Sequence, residues 1–172
     1  MKILRAFLAA AVVATGVFAT QAQANNFTPA DATAWSAVDR KINDLKGEIS
    51  AAMKATPPTQ NDTIYSYLTL YQSLEAIQER ANGLMMLALL SAYLETPRDE
   101  QRALNVLSGS VIPTAKTFIA SKRSSISDIS NASPTGGMYP HYVSQALTLI
   151  DSGVVPMLNA AMAKASVPAK GL

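Results

Sequence analysis

The chain has 172 residues, 49% of them hydrophobic and only 15% charged, with a formal net charge of +2, one histidine, one tryptophan and no cysteine. The missing cysteine excludes disulfide scaffolds, thiol catalysis, thiolate zinc sites, iron–sulfur clusters and covalently attached c-type haem. A single histidine excludes a multi-histidine metal site within one chain.

Residues 1–24 read as a secretory signal peptide, removed on export. Lys2 and Arg5 form a positive start, Ala6 to Ala19 an apolar run, and Ala22-Gln23-Ala24 a small-x-small cleavage site. The run is shorter than the ~20 residues that a membrane span needs. No cysteine follows it, so a lipid anchor is not expected. Without Lys2 and Arg5, residues 25–172 hold 12 basic and 12 acidic side chains. Phosphate binding needs a clustered positive field, and the one basic cluster, Lys116, Lys122 and Arg123, is small, so no nucleic-acid partner is expected. No later stretch reads as long and apolar enough to span a bilayer. The expected location is therefore the periplasm, or outside the cell, with no membrane span after cleavage.

Residues 25–172 are expected to form one domain of four helices. The first covers about 29–54, with Trp35, Val38, Ile42, Leu45, Ile49 and Ala52 recurring at alternating spacings of three and four. Thr28 suits a cap, Pro29 a first helical position, and Asp31 the free backbone N–H groups there. Asp39, Arg40, Lys41, Asp44, Lys46 and Glu48 fall off the stripe. Thr56-Pro57-Pro58-Thr59 ends the segment.

The second helix runs from about 61 to 95 on Ile64, Tyr67, Leu68, Tyr71, Leu74, Ile77, Ala81 and Leu84. From Leu84 to Leu90 it is apolar on every side. Such a stretch lies centrally in the fold or serves as a homo-oligomer interface. Glu75 and Glu79 read as solvated charge.

Thr96-Pro97-Arg98-Asp99 opens the third helix in the pattern of residues 28–31. Its expected stripe is Leu104, Leu107, Val111, Ala115, Phe118, Lys122, Ile126 and Ile129. Residues 130–137 form a loop. The fourth helix, about 140–165, places Val143, Leu147, Ile150, Val154, Met157 and Ala161 on one face, and a frayed tail follows from about 166. Short connections make successive helices antiparallel, so the fold class is all-α, an up-down-up-down four-helix bundle. Ser108-Gly109-Ser110-Val111-Ile112-Pro113 and Ser152-Gly153-Val154-Val155-Pro156 predict kinks or breaks near Pro113 and Pro156.

Residues 61–100 carry a net charge of −4 and residues 101–172 one of +4. This division predicts attraction between the second helix and the two that follow. The functional alternative is a bipolar surface that steers a charged partner.

Candidate binding residues gather at one end of the expected bundle: Tyr65, Tyr67, Tyr71, Tyr139, His141 and Tyr142. Tyrosines suit ligand mouths and protein interfaces, and ordinary bundle ends as well. Met53 with His141 is the ligand pair of some b-type haem bundles, and Met138 with His141 offers soft ligands to copper(I). A surface histidine among core-filling methionines accounts for the same residues, so no cofactor or metal is expected. No phosphate loop or nucleophile elbow is present, and no catalytic residue is expected. The sequence thus points to an exported protein that acts by binding a protein partner in the envelope. The alternative is a small-molecule binder with a pocket between kinked helices.

Overall fold

The computed structural model describes residues 26–132 and 139–171. The expected signal peptide and Met138 lie outside them. Every described element is helical. Helix α1 is Pro29–Ala55 and α2 is Asn61–Ser91. Helix α3 covers 97–132, as Pro97–Val106, a π turn Leu107–Val111, and Ile112–Ala132. Helix α4 is Tyr139–Ala165, with a π turn at Ile150–Val154.

The entries to α1 and α3 follow from their shared Thr-Pro-x-Asp. At α1, the Thr28 backbone N–H donates to Asp31 Oδ2 at 2.8 Å, closing a capping box. At α3, the Thr96 hydroxyl accepts from the Asp99 backbone N–H at 3.2 Å and donates to Asp99 Oδ2 at 2.7 Å.

Contacts establish the antiparallel order. Along α1 and α2, Trp35 meets Asn82 and Lys46 meets Glu75. Along α1 and α4, Asp31 meets Lys164 and Val38 faces Gly153. Each helix packs on its chain neighbour, and α4 closes back on α1. The result is the four-helix bundle. Its centre holds Trp35, Ile42, Ile49, Leu70, Leu74, Ile77, Leu104, Ile119 and Ile150, all essentially inaccessible.

The α-helical pattern breaks at both expected prolines, but neither helix ends there. The Ile112 N–H reaches back five residues to the Leu107 carbonyl, and the Val155 N–H to that of Ile150. A proline ring collides with the carbonyl four residues back, and one extra residue in the turn carries that carbonyl away from the ring. Ser108 and Ser152 each donate to the carbonyl four residues back, at 2.8 and 2.7 Å. Such serine bonds loosen the local ladder.

The extra residue also corrects the expected stripe of α3. Past the π turn, Ile112 and Ile119 are buried, whereas Val111, Phe118 and Lys122 are only partly so. The count slips by one residue at Val111 and Phe118, while the expected Ala115 and Ile126 are buried. In α4, Leu158, past the π turn, is likewise more buried than the expected Met157, while the expected Val143, Ile150, Val154 and Ala161 are buried.

Two further expectations change. By length and composition, α4 is apolar enough to cross a membrane, contrary to the sequence reading. Apart from Asp151, its outward positions carry no carboxylate or amine (Ser144, Thr148, Ser152, Ala160), so its hydropathy is high although one face packs in the bundle. The tail after Ala165 leaves helical geometry but is tied down. The Ala169 N–H donates to Gln101 Oε1 at 2.8 Å, and Asn26 Nδ2 donates to the Val167 carbonyl at 2.7 Å.

Candidate functional site

The tyrosines expected together divide among three settings. Tyr67 of α2 meets Tyr139 and Tyr142 of α4 edge to face, with ring centroids 5.7 and 6.0 Å apart. All three are buried. Edge-to-face rings place a positive edge on a negative face, and such a pair contributes about 1 kcal/mol beyond burial. Burial pushes the Tyr67 phenol above its ordinary value of 10.0, and the neighbouring Tyr142 adds to the shift. This trio closes the end of the core and offers no open face for a ligand.

Tyr65 points away, 66% exposed. Tyr71 faces α1, its ring 4.9 Å from Lys46 Nζ. His141 is exposed, with its ring 5.8 Å from that of Tyr142. Among the described residues it has no hydrogen-bond or ion-pair partner, and no group of three or more His, Asp or Glu side chains converges as a metal site. Met53 is half-buried against the core.

A polar ladder between α1 and α2 was hidden in the sequence. Trp35 Nε1–H donates to Asn82 Oδ1 at 2.5 Å. Asn82 Nδ2 and Gln78 Nε2 both donate to Asp39 Oδ1, at 3.3 and 2.6 Å. Lys46 Nζ donates to Gln78 Oε1 at 3.1 Å and to Glu75 Oε1 at 3.3 Å. Lys46 is buried, and a buried ammonium is tolerated only where it is paired. The recoverable signal was spacing: 35, 39 and 46 on one helix, and 75, 78 and 82 on the other, each lie on one helical face.

The charge division is not realised as expected. Among the described residues, interhelical ion pairs join α1 to α2, α1 to α4, and α3 to α4, and none joins α2 to α3 or α4. Arg123 grips Asp151 of the second π turn with two bonds, of 2.6 and 2.7 Å. That hydrogen bonding holds the Asp151 carboxyl below its ordinary value.

Two surfaces remain as candidates for binding. The first is the outer face of α2. The stretch Leu84–Leu90 is not buried all round: Leu84, Met85 and Ala88 face the core, while Met86, Leu87 and Leu90 face out. With Tyr93 and Leu94 they form an apolar strip, each side chain 43–62% exposed. Upstream the same face is polar, through Asp62, Thr69, Gln72 and Glu79. The sequence reading missed this polarity because it scored the stretch as a whole and not by face.

The second surface is a cleft of about 280 Å³ between α1 and α4, beside the π turn of α4. Ala34, Val38, Met85, Pro156 and Met157 line it, and Asp31 is its one ionisable lining residue. Burial alone would raise the Asp31 carboxyl. Lys164 Nζ at 2.6 Å, together with donation from Thr28, holds it below its ordinary value instead. No protein-family model, curated protein or solved structure matches this chain.

Proposed function

We propose that this chain is an exported, periplasmic helical-bundle protein that acts by binding, in a protein-interaction or accessory role, with the outer face of α2 as its interface. The observation that carries this reading is the exposed apolar strip Met86–Leu94. Contiguous apolar surface of this extent, rimmed by polar residues, marks interaction sites. The charged start and small-x-small site of residues 1–24 support export. The reading assigns no catalytic residue.

The test is affinity capture from the native envelope fraction, comparing wild type with Leu87→Glu. A partner retained by wild type and lost from the variant supports the reading. Identical sets of retained proteins overturn it.

The α1/α4 cleft supports a second reading, a small-molecule binder. Its volume lies just below the roughly 300 Å³ at which ligand pockets begin, and its wall suits a small apolar molecule. Thermal-shift measurement against a panel of such molecules tests it. A shift abolished by Ala34→Trp, which fills the cleft, supports this reading, and no shift overturns it.

A further inference from the structure

We propose that Asn82-Gly83 is a modification site that the fold keeps closed. A chain that unfolds loses the Asn82 side-chain amide there, and neither product restores in full the polar ladder between α1 and α2.

The chemistry belongs to the dipeptide. In a free chain the Gly83 backbone nitrogen attacks the Asn82 side-chain amide carbon. The new C–N bond closes a five-membered succinimide, and the side-chain nitrogen leaves as ammonia, taking the proton that the Gly83 nitrogen gave up. Water then opens the ring at either carbonyl. One opening gives aspartate, and the other gives isoaspartate, whose main chain runs through the former side-chain carbon. No oxidation or reduction occurs, and water is the sole co-reactant. Glycine, with no Cβ, obstructs the attack least. Asn82-Gly83 is the one Asn-Gly pair in the sequence.

The structure blocks the attack in two ways. Both residues lie in the interior of α2, where the Gly83 N–H belongs to the helix ladder and the helical backbone turns that nitrogen away from the side-chain carbon. The Asn82 side chain is pinned as well. Its Oδ1 accepts from Trp35 Nε1–H at 2.5 Å, and its Nδ2 donates to Asp39 Oδ1 at 3.3 Å. Conversion therefore requires α2 to open around residue 82.

The products fit the ladder badly. Aspartate at 82 still accepts from Trp35 but has no N–H for Asp39. It sets a second carboxylate at hydrogen-bond distance from the first, and like charges so placed oppose one another. Isoaspartate adds a main-chain carbon inside α2, which shifts the phase of everything after it. Leu84, Met85 and Ala88 are the buried residues that follow. Unfolding at this point is thus one-way for a chain that stays open long enough.

The test incubates the full chain in mildly alkaline buffer, native and in unfolding guanidinium chloride. Peptide mass spectrometry follows the exchange of amide for acid at Asn82. Asn43 and Asn159, which precede Asp44 and Ala160, are slow references in the same digest. Conversion at Asn82 should be at least tenfold slower in the native chain, and equal rates overturn the protection by the fold. Gly83→Ala tests the dipeptide, because nothing lies within 4 Å of the position of the added Cβ. Its circular dichroism should match wild type, and its conversion in denaturant should be at least tenfold slower. Conversion as fast as in wild type overturns the assignment to Asn-Gly. Converted chain, separated by charge and refolded by dilution, should regain less helix or unfold at lower denaturant than unconverted chain from the same incubation. Equal recovery with an equal midpoint overturns the one-way step. Asn82→Asp isolates the aspartate product and should also unfold at lower denaturant than wild type. An unchanged midpoint overturns the role given to the carboxylate pair.

Discussion

Asp31 carries more than its place in a capping signature indicates. It accepts from the Thr28 backbone N–H and hydroxyl, and from Lys164 Nζ, so one carboxylate ties the start of α1 to the end of α4. Its folded-state carboxyl titrates below the ordinary value of 3.8. The stabilisation is therefore complete above that value and is lost as pH falls through the lowered one. Asp31→Asn should cost about 1 kcal/mol in urea unfolding at neutral pH. The variant and wild type should converge only below pH 3.8. Asp39 is the other carboxylate to test. It accepts from Gln78, Asn82 and Asn43; Asp39→Ala leaves the Asn82 amide without this acceptor and Gln78 and Asn43 with only the Asp39 backbone carbonyl, and should cost about 2 kcal/mol by the same measurement. At this scale the sequence was only partly legible. Periodicity locates a polar residue on a helix face, but whether that face meets water or a matching polar face of another helix depends on packing. Asp39 and Lys46 were placed only off the apolar stripe, and Glu75 was assigned to solvent, for that reason. The tyrosines were misgrouped for a related one: Tyr65, Tyr67 and Tyr71 share a helix end but point in three directions.

Helices α3 and α4 share the segment Val-x-Pro, and in both the π turn ends two residues before the proline. The two turns differ in what surrounds their glycines. Gly109 faces open space, whereas a Cβ on Gly153 would come within 3.0 Å of Val38 Cγ1. Close approach of α4 to α1 thus requires a glycine at 153 and nothing comparable at 109. Gly109→Ala should stabilise the protein by about 0.5 kcal/mol through lost unfolded-state freedom. Gly153→Ala should destabilise it by about 1–2 kcal/mol through overpacking. Thermal unfolding of the two variants gives opposite signs if this holds. The prolines announced that the pattern would break, but not how. A kink, a stop and a π turn all relieve the same clash, and the choice lies in the neighbouring serines and in what the turn packs against. Beyond Leu107 the expected Val111 and Phe118 gave way to their neighbours Ile112 and Ile119 as a result, while Ala115 and Ile126 are buried as expected; α1, with no proline in its interior, shows its expected stripe: Trp35, Ile42, Leu45 and Ile49 are all buried.

For the molecule as a whole, four striped segments joined by short connections were enough to specify the bundle and its order. The apolar stretch of α2 announced an unusual surface without saying which of its residues face out. The π turns carry one more consequence, for how this chain tolerates changes of length. A long packed helix ordinarily forbids gaining or losing a residue, because everything beyond the edit swings by about 100° and the core side chains face water. A π turn is itself a surplus residue already absorbed. Deleting Ser110 should keep Ile112, Ala115 and Ile119 turned inward, with the Pro113 clash then relieved by a kink, whereas deleting Ser121 should swing Ile126 out of the core. These helices thus contain two sites where evolution, or an engineer, can edit length without losing phase.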